Sequence, residues 1–338
     1  MKIALITPVP AQSRQGNRVT ALRWARILKT LGHRVTIAQA YDGTSSDLMV
    51  ALHAQRSFAA IDGFRRRYPA RPLLVALTGT DLYGDIQTSR DAQHALEVAT
   101  RLILLQPRGI DELPAHLHPK VRVIYQSVRT PAGRPPKATT TFDVCVLGHL
   151  RPVKDPFRTA LAARLLPTAS RIRVLHVGQA LSAEMAAQAQ AEMADNPRYH
   201  WLGERPHWQA LRVLARSRVL VLSSRTEGGA NVLSEALAFG VPIVASRIAG
   251  SLGLLGDDYP GYFPVEGTTA LARLLRKVEQ DPHFYQALSV CCTRLAPCVS
   301  PARECQAWAQ LVHEVASEHG ATQANAPKAS ARAIPCLP

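Results

Sequence analysis

Residues 219–240 read Val219-Leu-Val-Leu-Ser-Ser-Arg-Thr-Glu-Gly-Gly-Ala-Asn-Val-Leu-Ser-Glu-Ala-Leu-Ala-Phe-Gly240. An unbroken apolar run, two glycines and a second apolar segment predict a buried strand ending at Ser223, a loop, and a helix opening near Asn231. Strand, glycine loop and helix form the repeating unit of a doubly wound parallel sheet, whose ligands sit at the carboxyl ends of the strands. The first N–H groups of such a helix have no partner within it, and with the helix dipole they make an anion site. Gly228 and Gly229 are expected to let a phosphate approach the backbone closely. Two carboxylates cannot grip a diphosphate, so Glu227 in the loop and Glu235 one turn into the helix are expected to accept hydrogen bonds from hydroxyls, such as those of a ribose. Either glutamate alone would pass for a helix cap or a solvated side chain; both, flanking Gly-Gly and Asn231 after a buried strand, point to a nucleotide.

The same alternation extends in both directions. Strands are predicted over 3–6, 35–38, 48–52, 73–77, 102–105 and 121–125, with a helix over 18–31 that Gly32 stops. A Pro-rich stretch over 130–141 reads as a linker. The pattern restarts with strands over 142–147, 172–177, 199–202, 219–222 and 243–245 and a helix over 157–166. The 338-residue chain is therefore predicted to be α/β, with two Rossmann-like domains (1–135 and 142–300) whose parallel sheets face each other across a cleft. A packing helix over 301–319 carries Trp308, Leu311, Val312 and Val315 on one face, and 320–338 reads as a loose tail.

Other loops at predicted strand ends supply further candidates. In Gly148-His-Leu-Arg-Pro-Val-Lys-Asp155, Arg151 and Lys154 are placed to meet the same diphosphate. After the first strand, Gly16 and Asn17 open a helix where a ligand can come close to the backbone. Leu52-His-Ala-Gln-Arg56 and Thr78-Gly-Thr-Asp81 close two more strands, offering His53, Arg56, Thr80 and Asp81. A lone histidine is usually structural; His53 at a strand end facing a cleft is a functional candidate. No Asp-x-Asp pair occurs, so the helix end with Arg151 and Lys154 is expected to carry the phosphate charge, and neither metal nor cofactor is expected.

Composition narrows the partners. A net charge of +15 favours an anionic ligand. Aromatics are 6%, the arginines are scattered, and no nucleic-acid-binding signature appears, so nucleic acid is not expected. No apolar run reaches the roughly 18–20 residues of a membrane span, and no signal peptide is legible, which leaves the cytoplasm as the expected compartment. The six cysteines, at positions 145, 291, 292, 298, 305 and 336, form no C-x-x-C or zinc spacing and read as reduced thiols. Oligomeric state is not legible.

Glu227, seven residues, Glu235, and the trailing Ala236-Leu-Ala-Phe-Gly-Val-Pro-Ile-Val-Ala-Ser246 resemble the signature of GT-B glycosyltransferases of the GT4 type. The resemblance implies that Glu235 binds the nucleotide ribose and Glu227 the donor sugar, that Asn231, Val232 and Leu233 present backbone to the phosphates or sugar, and that Lys154 is the diphosphate lysine. The chain departs from the pattern at His149, where the family usually has arginine, and at Gly16-Asn17, where it usually has paired glycines. Ile6-Thr-Pro-Val-Pro-Ala, Ala51-Leu-His-Ala-Gln-Arg-Ser57 and Leu77-Thr-Gly-Thr-Asp-Leu-Tyr83 resemble the selenosugar synthases of bacterial selenoneine biosynthesis. That likeness implies UDP-sugar and selenophosphate as substrates; Arg14, Asn17, Arg18, His53, Arg56, Thr80 and Asp81 are then the candidates for the acceptor side, and His53, Lys154 and Glu227 for catalysis. The alternatives are a GT4 enzyme acting on a hydroxyl acceptor, a UDP-sugar epimerase, and a non-catalytic binding protein.

Overall fold

The predicted alternation is realised as two six-stranded parallel sheets in a computed structural model that describes residues 1–13, 16–79, 81–130, 133 and 135–324. The first sheet holds β1 (Lys2–Ile6), β2 (Arg34–Ala38), β3 (Leu48–Leu52), β4 (Leu73–Leu77), β5 (Arg101–Leu104) and β6 (Val121–Val123), in the order β2-β1-β3-β4-β5-β6. The second holds β7 (Phe142–Leu147), β8 (Ile172–Val177), β9 (Tyr199–Trp201), β10 (Val219–Leu222), β11 (Ile243–Ser246) and β12 (Tyr262–Phe263), in the order β12-β11-β10-β7-β8-β9. Chain direction across the sheet reverses between β1 and β3 and again between β7 and β10. Those two gaps are the switch points where crossover helices leave to opposite faces and a crevice opens.

The pleat explains why the apolar runs are continuous. Ile3 and Leu5 of β1 pack with Trp24, Leu28 and Trp308 on one face. Ala4 and Ile6 pack with Ile61 and Phe64 on the other. A strand covered on both faces has no polar positions to alternate.

Three features differ from the sequence reading. The helix predicted over 157–166 is confined to Arg158–Arg164, with Phe157 and Leu165 as its caps and Pro167 just beyond it. β12 escaped notice because it has two residues. The last helix runs Pro301–Ala324, so the start of the predicted tail is helical: once a long helix is nucleated, each added residue gains a hydrogen bond at small cost, even past Gly320. The remainder, 325–338, lies outside the described residues, as do 131, 132 and 134 of the linker. No helix among the described residues is long and apolar enough to cross a membrane, and the five described cysteines form no disulfide.

That last helix leaves the second unit and packs on the first. Trp308 meets Trp24 edge-on with ring centroids 4.9 Å apart, and Leu311, Val312 and Val315 are buried beside it. Its Glu304 is 2% exposed. The carboxylate accepts from Trp24 Nε1 at 2.8 Å, Arg23 Nε at 3.2 Å, the Ser127 backbone N–H at 2.9 Å and the Ser127 hydroxyl. Ser127 lies where the chain leaves the first unit and Glu304 where it returns, so one carboxylate ties both crossings to the Gly16–Thr30 helix.

Replacing Glu304 with alanine strands a buried guanidinium and three further donors. The expected cost is about 3–5 kcal/mol, read as a lower urea midpoint by tryptophan fluorescence; an unchanged midpoint would remove Glu304 from this role.

Candidate active site

In the second unit, the loops after β7 and β10 are fastened together at the switch point. Ser223 Oγ donates to the carbonyls of Lys154 (3.2 Å) and Asp155 (3.0 Å), and Arg225 N–H donates to Val153 O at 2.9 Å. The left-handed turn at Asp155 is held by Arg158, whose Nε donates to its carboxylate at 2.7 Å. It aims the Lys154 ammonium at Glu227 Oε1, which also accepts from Ser224 Oγ at 2.6 Å. Beneath the β7 loop, His176 donates from Nε2 to Gly148 O at 3.1 Å and accepts at Nδ1 from the Tyr199 hydroxyl at 2.9 Å. Burial pushes its pKa down to about 4, so it is a neutral strut. A Cβ on Gly178 would lie 1.9 Å from Gly148 O, so only glycine lets these two loops meet.

The helix Asn231–Phe239 opens after Ala230 with no acidic residue in its first turn, leaving its N–H groups to an incoming anion. Glu235 is 8% exposed, and His207 Nε2–H donates to its Oε1 at 2.7 Å. The hydrogen bond to Glu235 raises the His207 pKa against the opposing pull of burial. His149 is the reverse case: burial, with the charges of Arg151 and Lys154, lowers its pKa despite Glu204. Its Nδ1 accepts from Gln179 N–H at 3.1 Å.

Across the cleft, His53 ends β3 with φ 74°, a conformation that costs a non-glycine residue free energy and persists only where neighbours enforce it. His53 N–H donates to Ala76 O at 2.8 Å, and Ser57 Oγ donates to Leu52 O at 2.7 Å. The His53 ring accepts at Nδ1 from Arg56 N–H at 3.3 Å, and Nε2 lies 3.8 Å from Asp85 Oδ2. Burial lowers its pKa against the raising influence of Asp81 and Asp85. Asp81 was expected to face the acceptor, but it is wholly buried. Its carboxylate accepts from the N–H groups of Ala54 (3.1 Å), Thr78 (3.0 Å) and Gly79 (2.8 Å), and so shapes the two loops that carry His53 and Thr78.

A cavity of about 290 Å³ brings Gly16, Asn17, His53 and Arg56 of the first unit opposite Arg151, Lys154, Glu227, Gly229, Asn231, Val232 and Glu235 of the second. Four other candidates are absent from its walls. Besides Asp81, Leu233 is buried in the second unit's core, and Arg18 is half-buried with its Nε lacking a hydrogen-bond partner among the described residues. Gly228 is the fourth: a Cβ there would lie 2.6 Å from Gly79 N and 2.7 Å from Thr78 C, and one on Gly229 2.4 Å from Leu105 Cβ. The sequence reading gave this pair to phosphate; here Gly228 lets the two units touch, and Gly229 does so while also lining the cavity. Arg14 and Thr80 lie outside the described residues. His207 and Gln126 also line the cavity and were missed. His207 opens a helix after β9 with no local motif, and only the packed structure brings it to Glu235.

Residues 132–290 match the family model "Glycosyl transferases group 1". The match spans most of the second unit. The whole chain is similar in fold to sucrose-phosphate synthase from Thermosynechococcus elongatus (15% identity, 94% of this chain and 99% of that one, TM-score 0.72). It is likewise similar to Anabaena HepE in complex with UDP and glucose (16% identity, 93% and 100%, TM-score 0.72) and to a glycosyltransferase from Rickettsia africae (13% identity, 93% and 98%, TM-score 0.68). At such identities the likeness is one of fold, and it makes the two facing sheets the GT-B arrangement. Among curated proteins none matches the chain by sequence.

The His207–Glu235 pair sets a pH expectation. Because the folded pKa of His207 is raised, the ion pair is complete below the ordinary histidine value of about 6.5 and is lost as pH rises through the higher folded value. Histidine NMR titration should show His207 titrating above the ordinary value, and Glu235→Gln should bring it down. An unmoved midpoint would mean that Glu235 is not the cause.

Proposed function

We propose that the protein is a glycosyltransferase that joins the sugar of a UDP-sugar, UDP-N-acetylglucosamine or UDP-glucose, to selenium from selenophosphate. The observation that carries the transferase reading is the meeting, in one small cavity, of both sheets' switch points. Lys154, Glu227 and the Asn231 helix start stand on one side, with His53 and Arg56 on the other. A UDP-sugar donor is supported by the family match of the second unit and by the fold shared with HepE, whose structures hold UDP, glucose and UDP-glucose.

In this reading Glu235 takes the ribose hydroxyls and Glu227 those of the sugar. The backbone of Asn231 and Val232, with Lys154 and Arg151, holds the diphosphate, and Gly16 closes over the donor. An ammonium has three donors, so Lys154 can keep Glu227 while meeting a phosphate oxygen. Among the described residues no three His, Cys, Asp or Glu side chains gather to hold a metal ion. In this reading the charge on departing UDP is met by Lys154, Arg151 and the helix start.

The acceptor is supported by the sequence likeness of the first unit and by fit. Selenophosphate is small and anionic, suited to a cavity with Arg56, Arg151 and Lys154 on its walls. Its selenium is already ionised, so no base is required, which agrees with the lowered proton affinity of His53; His53 orients the acceptor. The selenium lone pair attacks the anomeric carbon, the bond to the β-phosphate oxygen breaks with its electron pair leaving on UDP, and water takes the phosphoryl group from selenium.

Mass spectrometry of incubations with each UDP-sugar, with and without selenophosphate, tests this directly. A selenosugar and UDP are expected only when selenophosphate is present. Transfer to hydroxyl compounds instead, or release of an epimer without acceptor, would replace the selenium reading. Lys154→Ala should lower kcat about 10²–10³-fold, and Arg56→Ala should raise the KM for selenophosphate about tenfold while leaving that for the UDP-sugar unchanged.

A further inference from the structure

The helix Gly16–Thr30 enters the cleft at Gly16 and carries Arg23 about two turns further in. This side chain belongs to the first unit, yet two of its donor groups leave it. Nε donates to Glu304 at 3.2 Å, and Nη1 donates to Asn231 Oδ1, at the first residue of the donor-side helix, at 3.2 Å. Nη2 is buried and has no hydrogen-bond partner among the described residues. The side chain is only 15% exposed, so these bonds are largely shielded from water and salt. The start of the same helix also lies near Asn231, since a Cβ built on Gly16 would come within 3.6 Å of Asn231 Nδ2.

The arrangement is electrostatically odd unless it has a purpose. A helix N-terminus carries partial positive charge, and a cation beside it is unfavourable. Glu304 offsets part of that cost, and a bound diphosphate would offset more. The guanidinium presents its donors in one rigid plane, so Arg23 can reach Glu304 and Asn231 together only when the first unit sits at one angle to the second.

We infer that Arg23 is a positioning residue that locks the first unit onto the start of the donor helix, bringing the acceptor loops against a bound donor in register. The inference rests on reading the cleft as a UDP-sugar site. Donor contacts belong almost wholly to the second unit, so loss of the lock should impair transfer far more than donor binding.

The test uses the full-length protein and the variants Arg23→Ala and Arg23→Lys. Lysine keeps a charge for Glu304 but, as a single ammonium, cannot span both partners. Small-angle X-ray scattering without ligand should show a larger radius of gyration for both variants; an unchanged radius overturns the lock whether or not UDP binds. With UDP-sugar, kcat should fall roughly 10- to 100-fold in both, while UDP affinity by calorimetry stays close to wild type. The urea midpoint should fall in Arg23→Ala and be largely kept in Arg23→Lys. Wild-type kcat in Arg23→Lys, or a loss of UDP affinity matching the loss of kcat, also overturns the lock. Failure of the wild-type protein to bind UDP overturns the donor reading alone.

Discussion

A carboxylate with almost no access to water holds the two units in relation to each other. Glu304 sits where the chain returns to the first unit, accepting from a serine at the outgoing crossing and from an arginine and a tryptophan of the helix between them. A buried charge is tolerable only when fully paired, so these partners cannot drift independently. The angle between the sheets, and hence the distance from His53 to Glu227, depends on that pairing and on the Trp24–Trp308 contact beside it.

Within the cleft the charges are arranged for an anionic ligand without an excess of free base. Arg56, Arg151 and Lys154 supply permanent positive charge, and Lys154 is held in place by Glu227. Burial keeps the proton affinity of His53, His149 and His176 below the ordinary value, whereas His207 is raised by Glu235. Three histidines therefore serve as neutral hydrogen-bonding groups near neutral pH. Such a set suits positioning and charge stabilisation better than proton abstraction.

Much of this was legible in the chain itself. Central strands such as β3 and β4, buried along their whole length, appear as unbroken apolar runs, and glycine loops before helices marked the strand ends that meet at the cleft. The strand ends alone placed His53, Lys154 and Glu227 together. Three-dimensional packing was not legible. Asp81 reads as a cleft residue because it lies in a strand-end loop, yet three backbone amides claim its carboxylate. His207 carries no local pattern and reaches Glu235 only because its helix starts beside the helix Asn231–Phe239.

The two glycines after Glu227 show where the physical reading of a motif has to change. A Gly-Gly turn before a helix has two uses for its missing side chains: a ligand can approach, or another piece of protein can. Here the backbone at Thr78 and Gly79 occupies the space beside Gly228, and Leu105 the space beside Gly229. The glutamates and the helix start line the cavity, while the glycines set how closely the first unit can approach them. Glu227, Gly228 and Gly229 thus place a cavity-lining carboxylate and the contact between the units within three consecutive residues. Any shift that moves the Thr78 loop away from Gly228 must also move His53, because Asp81 binds the backbone of both loops at once.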